Sequence, residues 1–378
     1  MIKTILTLSI LLVLSIGFSQ GLVNNGARIV LSNSVNIVVN GATGNYTNQN
    51  SGLLSVGTGN GTVKLQGNWV NNATNVVFSN DGITTELYGA NQSIGGTNST
   101  TFYNLTLSGS GTKTLNIDAK AGGISTTTGV VALNDRALDL NQHILEITNP
   151  APTAFTRTSG FVVSETNMAT NPSIIRWNTG NAGNYVFPFG ASGDYIPIGL
   201  DKTSAGASTV SASTRATTNV NTPWATGVTN MNSAVLSLPD ASVETTIDRW
   251  YSITTSNPVV ANLTLSYRGA ENTTTLSPNG TFSMQRWNGL WEDQQGSGTG
   301  LTTGVGSVTA NGVSAFSNFV LTTATSFGPL PITLKAFAGT CNNNGIQLTW
   351  TTASESNVNH FEIYRTRDGQ AWEKVADV

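Results

Sequence analysis

The sequence is poor in the side chains that carry most protein chemistry. It has one cysteine and two histidines in 378 residues, and 10% of its residues are charged, against roughly 25% in an average soluble domain. A single cysteine, Cys341, excludes an internal disulfide framework and a cysteine-rich zinc site. The net charge is −3 with no run of basic residues, so the electrostatic footprint of a nucleic-acid-binding protein is missing.

Long hydrophobic runs are scarce as well, and the longest lies at the N-terminus. Lys3 gives it a positive start, residues 5–16 are mostly apolar, and the small residues Gly17 and Ser19 precede Gln20. This arrangement predicts a secretory signal peptide over residues 1–19. The alternative, a transmembrane anchor, needs about 20 apolar residues, more than this run contains. We therefore expect an exported chain that does not span a membrane after signal cleavage.

The rest of the chain has the pattern of many short strands. Runs of β-branched and aromatic residues are separated by Gly, Asn, Ser and Thr, which favour turns. The clearest runs are residues 28–32, 35–39, 75–78, 105–107 and 262–267. No stretch keeps the apolar spacing of an amphipathic helix, so the sequence predicts an all-β protein.

Three regions that differ in amino-acid composition suggest three modules. Residues 20–150 have few aromatic residues, which favours a β-solenoid-like region whose coils stack small apolar side chains and whose Asn and Thr residues form ladders; a twisted sandwich is the alternative. Residues 151–328 are richer in aromatic residues, enough for a β-sandwich core about 10 Å thick. Residues 328–331, GPLP, form a stiff linker, and a third module occupies residues 329–378.

The third module carries a resemblance to a known group of proteins. Residues 330–337 (LPITLKAF), 341–355 (CNNNGIQLTWTTASE) and 359–369 (NHFEIYRTRDG) resemble the fibronectin type III-like module that precedes the C-terminal sorting domain in proteins exported by the bacterial type IX secretion system. Residues 67–71, 101–107 and 137–141 look like the solenoid segments of these proteins. Residues 185–190, 195–198, 248–251 and 314–319 look like their middle β-sandwich.

The resemblance implies an outer-membrane-associated or secreted location and the type IX export machinery as a partner. A complete sandwich of this type needs about 100 residues, whereas Leu330 to Val378 is 49 residues. We therefore expect a truncated fibronectin type III-like module in a fragment of a longer open reading frame. A sorting domain would follow it, and a catalytic domain in that continuation is a further alternative.

Candidates for catalysis are few. His143 and His360 have no nucleophile motif nearby, and no Gly-x-Ser-x-Gly segment occurs. Asp135 and Asp139 are the closest acidic grouping in residues 20–150, but their spacing in a strand places them about 13 Å apart on one side, beyond the reach that paired catalytic carboxylates need. We predict no catalysis, no cofactor and no metal site in this chain.

Two tryptophans offer a candidate binding site. In residues 287–291 (WNGLW), Trp287 and Trp291 flank an Asn-Gly turn, and aromatic faces of this kind can stack on sugar rings or anchor other partners. The alternative is that both rings pack the hairpin into the core. The sequence as a whole predicts a secreted or cell-surface structural or adhesive protein that contacts surface glycans or matrix. The alternative function is the non-catalytic carbohydrate-binding portion of a secreted glycan-degrading protein.

Overall fold

The computed structural model is almost all β, with 55% strand, and no α-helix occurs in the residues that it describes. The structure describes residues 21–74, 76–167, 173–229, 245–275, 277–324, 334–342, 345–352, 361–367 and 372–378. Two short 3-10 helices, Pro152–Ala154 and Gly269–Glu271, occur in this part of the chain. The all-β prediction is confirmed.

The N-terminal region is a β-solenoid of about six turns, as predicted. Most coils contribute one strand to each of three faces. The strands are β1 (Leu22–Asn25), β2 (Arg28–Leu31), β3 (Asn36–Val39), β4 (Tyr46–Gln49), β5 (Leu53–Val56), β6 (Gly61–Leu65), β7 (Trp69–Asn71), β8 (Ile83–Leu87), β9 (Gln92–Gly96), β10 (Thr100–Phe102), β11 (Asn104–Leu107), β12 (Thr112–Leu115), β13 (Ala119–Ala121), β14 (Val131–Asn134), β15 (Ala137–Asp139), β16 (Ile144–Ile147), β17 (Phe155–Arg157), β18 (Phe161–Val163) and β19 (Ile174–Thr179).

All pairings between neighbouring coils are parallel. The first face has the order β1-β4-β7-β9-β12-β15-β18 and the third face β3-β6-β8-β11-β14-β17. The second face consists of β2-β5 and, separately, β10-β13-β16-β19. Leu22 pairs with Tyr46, and Ile94 with Leu115, so a turn takes 24 residues at one place and 21 at another. These unequal turns explain why the sequence shows no fixed period.

The solenoid core is built from side chains that stack coil on coil. Tyr46, Leu54 and Val63, one from each face of the second coil, are completely buried. Tyr46 stacks on Trp69 of the next coil with ring centroids 4.6 Å apart. Burial of each large apolar side chain contributes about 1.5–3 kcal/mol, so the column of coils stabilises itself without the large aromatic content of a sandwich.

One predicted strand, residues 75–78, is not formed as expected. Residue 75 lies outside the described residues, and Phe78 makes only an isolated parallel bridge with Leu54. Val77 and Phe78 are both buried, with 3% and 4% of their surfaces exposed. Two consecutive inward side chains break the alternation that a strand requires, so the second face is interrupted in the third coil.

Asparagine side chains form a column inside the first face. Asn24 pairs with Asn48, and Asn48 with Asn71, in successive coils. All three are at most 2% exposed. The amide of Asn48 donates to Gly52 O at 2.9 Å, and that of Asn71 to Ser99 O at 2.8 Å. The predicted asparagine ladder is therefore present, and it satisfies carbonyl groups where the chain turns between faces.

The second region is a β-sandwich made from one large sheet and a separate two-stranded sheet, Gly190–Ala191 with Asp194–Tyr195. Its strands are β20 (Gly183–Phe187), β21 (Gly190–Ala191), β22 (Asp194–Tyr195), β23 (Ile198–Lys202), β24 (Ser208–Ala216), β25 (Thr246–Thr255), β26 (Ala261–Arg268), β27 (Thr281–Arg286), β28 (Gln295–Thr299), β29 (Val305–Val313) and β30 (Asn318–Thr323). The large sheet has the order β10-β13-β16-β19-β24-β25-β30-β27-β28-β29-β26-β23-β20. Its two halves meet where Trp177 of β19 packs edge-on against Tyr185 of β20, with centroids 5.2 Å apart.

Solenoid and sandwich share one sheet and one core. β19 pairs in parallel with β16 of the solenoid and antiparallel with β24 of the sandwich. A single cluster of buried apolar side chains extends from Leu31 to Leu321. Parallel pairing continues past residue 150 through β17, β18 and β19, and the described residues up to Ala324 form one compact unit.

A second compact unit covers residues 325–378. Its strands are β31 (Leu334–Asn342), β32 (Gly345–Thr352), β33 (Glu362–Thr366) and β34 (Trp372–Asp377), paired as two antiparallel hairpins. Within this unit, Trp350 contacts Phe361 with ring centroids 5.4 Å apart. The Asp-Gly turn of residues 368–369 lies outside the described residues.

Candidate functional site

The predicted sugar-binding tryptophans form a tight hairpin after β27. Trp287 and Trp291 make an antiparallel bridge around the turn, and Glu292 N donates to Arg286 O at 2.9 Å. Their rings are T-shaped, with centroids 5.0 Å apart. Only 8% of Trp287 and 3% of Trp291 is exposed.

Both rings are covered by other parts of the chain. They pack in a cluster with Ala225, Val228, Trp250 and Val320, and Trp287 Nε1 donates to Gly227 O at 2.9 Å. A sugar ring needs an open aromatic face, and neither tryptophan offers one. The structure therefore supports the packing alternative over sugar binding, because residues 225–228, distant in sequence, fold over the hairpin.

The remaining sequence candidates do not assemble into a reactive site. His143 Nδ1 lies 3.3 Å from Asp118 Oδ1 at the surface, and His360 lies outside the described residues. Asp135 pairs with its neighbour Arg136, and Asp139 accepts a bond from Asn141 N at 2.9 Å. In the part of the chain that the structure describes, no three His, Cys, Asp or Glu side chains lie together so that they could hold a metal ion.

The outer faces of the solenoid carry polar side chains in columns along the stack. On the third face, Lys64 Nζ lies 2.8 Å from Glu86 Oε2, and Ser108 donates to Glu86 at 2.7 Å. Partial burial raises the pKa of Glu86, but the bonds from Lys64 and Ser108 outweigh it and hold that pKa below its usual value. Lys120 and Glu146 form a similar pair on the second face, at 3.0 Å.

A recess of about 270 Å³ lies where the second face is interrupted. Thr74, Asn98, Ser99 and Thr101 line it with polar groups, together with buried Phe78. At its rim, Val76 and Ile124 are 64% and 40% exposed. The recess is large enough for a small ligand group and combines apolar and hydrogen-bonding walls.

Asp81 fixes the loop beside this recess. Its carboxylate accepts bonds from the main-chain N–H groups of Ile124, Ser125 and Thr126 at 2.7–2.9 Å, and from the hydroxyls of Ser125 and Thr126. Burial raises the pKa of Asp81, but these five donors outweigh it and lower the pKa to about 2. A carboxylate saturated in this way holds a loop in place and is not a general base.

Several charged groups lie in the interior, and sequence reasoning missed them, Arg249 and Lys113 among them. Arg249 is completely buried and bonds Glu271, Glu165 and Thr214. Lys113 Nζ, inside the solenoid, donates to Gly89 O, Ala90 O, Ser110 O and Gln92 Oε1. The strand alternation that places Leu115 inward also places Lys113 inward. This alternation is visible in the sequence and could have predicted that Lys113 is buried.

No protein-family model matches the chain, and no curated protein or solved structure matches it significantly. In the described residues, the structure contains no helix long and apolar enough to cross a membrane.

Proposed function

We propose that this chain is a secreted or cell-surface protein whose role is structural and adhesive, without catalysis of its own. The observation that carries the proposal is the unbroken 13-stranded sheet, from β10 in the solenoid to β20 at the far edge of the sandwich. Main-chain hydrogen bonds join coil to coil and solenoid to sandwich, and one apolar core runs beneath them. Such a body suits a stalk or spacer that must stay rigid outside the cell.

The surface of the solenoid suits contact with other surfaces. Charge is low overall, and some of the charged residues on the outer faces neutralise one another in the pairs Lys64–Glu86 and Lys120–Glu146. A surface with little net charge approaches another without strong long-range repulsion. Repeated polar columns offer many equivalent weak contacts, and multivalent contacts of this kind add to a high avidity.

The polar and charged groups in the interior support a structural role. Lys113, Arg249 and Glu271 in the interior, and Asp81 nearer the surface, are each engaged by several protein partners. A catalytic acid, base or nucleophile needs access to a substrate, and these groups are bound by the fold itself. The recess near Asp81 is the best candidate for a specific contact with glycan or matrix.

Export is the second part of the proposal. The N-terminal segment of residues 1–19 directs the chain out of the cytoplasm, and the resemblance of residues 330–378 suggests the type IX machinery as the export partner. N-terminal sequencing of the protein recovered from the medium or from the outer membrane tests the first step, with Gln20 as the expected first residue. Loss of surface protein in a host lacking the type IX translocon tests the second.

Adhesion is tested with the folded chain from residue 20 to residue 378. We expect saturable binding to at least one of three targets, namely whole cells, a glycan array or matrix proteins. Failure to bind any of them would contradict the adhesive part of the proposal. Thr101→Lys, which places a charge in the recess, should weaken specific binding, and Thr106→Lys on the third face is the matched control.

A pair of variants distinguishes the adhesive role from the alternative function, the carbohydrate-binding portion of a glycan-degrading protein. Trp287→Phe with Trp291→Phe keeps apolar rings in the cluster while removing both indoles. If glycan binding were lost in this folded variant and retained in Thr101→Lys, the tryptophan hairpin rather than the recess would be the sugar site.

A further inference from the structure

The two ends of the solenoid differ in how they are covered. At the C-terminal end the sandwich continues the stack on two of the three faces, because β19 pairs with β24 and Val162 of β18 makes a parallel bridge with Phe189. At the N-terminal end, β1, β2 and β3 are the first strands of their faces. In the described residues, no strand pairs with these three on the side away from the second coil. The first coil is therefore an open end with three free strand edges.

The hydrogen bonds to the second coil show which main-chain groups of the open end are free. The residues of the first coil that bond the second coil in this way include Leu22, Ala27, Leu31, Val35 and Val39. In a parallel pair, alternate residues direct both their N–H and their C=O groups to the same neighbouring strand. The residues next to them, Val23, Val30 and Val38, therefore direct theirs away from the second coil, where another strand can reach them.

The side chains at the open end are apolar and incompletely covered. Val23, Val30 and Val38 are 57%, 50% and 51% exposed on the outer faces. Three inward side chains of the first coil are only partly buried, whereas their partners in the second coil are completely buried. These three are Leu22, Ile29 and Ile37. Another layer of residues on the open end would complete their burial.

The open end lacks the features that usually protect a strand edge from pairing. Natural edges carry lysine or other charges, proline or a β-bulge, and the terminal coils of solenoids have polar outer surfaces. Residues 21–45 contain no lysine, aspartate, glutamate or proline, and Arg28 is their one charged residue. Arg28 Nε donates to Ser55 Oγ of the second coil at 3.1 Å, away from the open end. The pairings of β1, β2 and β3 run without a bulge.

We propose that the open end binds a second copy of this chain, so that two solenoids join end to end. A two-fold axis across the end makes each free edge meet an edge of the partner that runs in the opposite direction, and antiparallel edges form hydrogen-bonded pairs. Leu22 pairs with Tyr46, so the coil that faces the partner is 24 residues long, and a specific interface uses about 20–30 residues per side. The near absence of charge spares two identical surfaces the repulsion between like charges.

The dimer also identifies a partner for adhesion, and on this point alone the inference rests on the proposed function. Copies on two cells would join through the same surface, without a separate receptor. Each dimer would also carry two of the recesses near Asp81, which increases the avidity for a surface that they bind. The dimer itself is measured on the purified chain and does not depend on the adhesive role.

Sedimentation velocity of the chain from residue 20 to residue 378 tests the proposal. We expect a monomer–dimer equilibrium, and Val23→Lys, which places a charge on one free edge, should raise the Kd of the dimer by at least about tenfold. Val70→Lys is the matched control, because Val23, Thr47 and Val70 occupy the same outward column in successive coils. Val70 lies in β7, which has a strand on each side, and its replacement should leave the Kd unchanged.

Hydrogen exchange locates the contact. The main-chain amides of Val23, Val30 and Val38 should exchange more slowly as the protein concentration rises, whereas the exchange of Val70 should not depend on concentration. Val38→Lys, on the third face, is a second variant in case Val23→Lys does not fold, and circular dichroism with a Tm measurement checks the fold of each. It should weaken the dimer to a similar extent.

Three results would overturn the proposal. The first is a chain that remains monomeric, with a Kd above about 1 mM. The second is a dimer whose Kd is unchanged in folded Val23→Lys and Val38→Lys. The third is a monomer whose amides at the open end are protected only when residues 1–19 are retained, which would assign the end to that segment. An intact dimer that binds no cell, glycan or matrix protein would support this inference and contradict the adhesive role.

Discussion

Lys113 Nζ lies 2.8 Å from Gln92 Oε1 inside the solenoid, and both side chains are buried. Lys113 pairs with Gln92 of the preceding coil and with Leu138 of the next coil. The cation therefore lies in a column of inward side chains between a polar and an apolar neighbour. Three main-chain carbonyls complete its hydrogen bonds. The ammonium group thus fastens the turn of residues 89–92 and the turn at Ser110 to the core.

Removal of this lysine should change how stability depends on pH. Burial, with a smaller contribution from Arg136, lowers the pKa of Lys113 from 10.5 to about 8. Between pH 8 and 10.5 the unfolded chain keeps a proton that the folded chain has lost, so the free energy of unfolding should rise with pH, by at most about 1.4 kcal/mol per unit. Lys113→Met should lack this rise in denaturant titrations between pH 7 and 9.5.

The surface variant Lys120→Met is the control for this prediction. Lys120 pairs with Glu146 on the outer face, and its removal should leave the wild-type pH dependence in place. A wild-type free energy of unfolding that stays level from pH 7 to 9.5 would mean that Lys113 keeps its proton in the folded state.

The all-β fold class could be predicted from the sequence, because the residue patterns that favour strands and turns are local. Short runs of strand-forming residues between turn residues predicted the all-β class, and the low and high aromatic content of the two regions predicted the solenoid and the sandwich. The direct join between the two regions could not be predicted, because β19 pairs with β16 on one side and with β24 on the other. That switch from parallel to antiparallel pairing depends on contacts between distant segments.

The sites were harder to predict, since they depend on tertiary burial. Trp287 and Trp291 have the sequence of an exposed hairpin, and their burial comes from residues 225–228 and Trp250. The partners of Arg249, Glu165 and Glu271, lie 84 and 22 residues away. The low charge content gave no indication that several of the charged side chains, such as Lys113 and Arg249, are buried.

The asparagine column should contribute strongly to solenoid stability. In Asn48→Ala, Gly52 O loses the amide that donates to it and the Tyr46 hydroxyl loses its acceptor in a fully buried place, at a cost of about 1–3 kcal/mol. Chemical denaturation of the purified chain measures this loss. Asn25→Ala, at an exposed position of β1, should change the free energy of unfolding by less than about 0.5 kcal/mol; equal effects of the two variants would refute a special role for the column.

Gly96 closes this column in the fourth coil, where it pairs with Asn71. Its φ is +115°, and a Cβ added there would lie 2.1 Å from Asn71 O, so the two coils cannot keep their spacing with a larger residue. Gly96→Ala should lower the Tm far more than Gly193→Ala. Gly193 also has a positive φ, +92°, but open space around it, so the comparison separates steric overlap from backbone strain. Similar Tm values for the two variants would show that backbone conformation alone sets the requirement.

Asp81→Asn should loosen the loop of residues 122–129 without unfolding the chain. The variant loses the charge that makes the three main-chain N–H bonds strong, and hydrogen exchange at residues 124–126 should accelerate by at least about tenfold. The pKa of Asp81 is lowered in the folded chain from 3.8 to about 2. The stabilisation that its carboxylate gives to the folded state is therefore complete above pH 3.8 and is lost as the pH falls through 2. Asp118→Asn, which removes a carboxylate bonded to Ile144 N instead, should leave exchange at 124–126 unchanged.

Arg249 and Glu271 should behave as one unit in the sandwich core. Arg249 Nε lies 2.8 Å from Glu271 Oε2, and Arg268 Nε lies 2.7 Å from Glu271 Oε1. Arg249→Met leaves Glu271 and Glu165 without their buried cation, which should cost about 3–5 kcal/mol. Glu271→Leu alone should be similarly destabilising, because the buried Arg249 guanidinium then keeps only Glu165 as a negatively charged partner.

The double variant Arg249→Met with Glu271→Leu provides the decisive comparison. Packing two apolar side chains in place of a buried ion pair is often close to neutral, so the double variant should be more stable than the sum of the single losses predicts. Acid titration adds an independent check. Burial raises the pKa of Glu271 but bonds from Arg249 outweigh it and lower that pKa below 4.5, so this stabilisation is present above pH 4.5 and is lost as the pH falls through the folded value. Strictly additive losses in denaturant titrations at pH 7 would mean that the two residues stabilise the core independently.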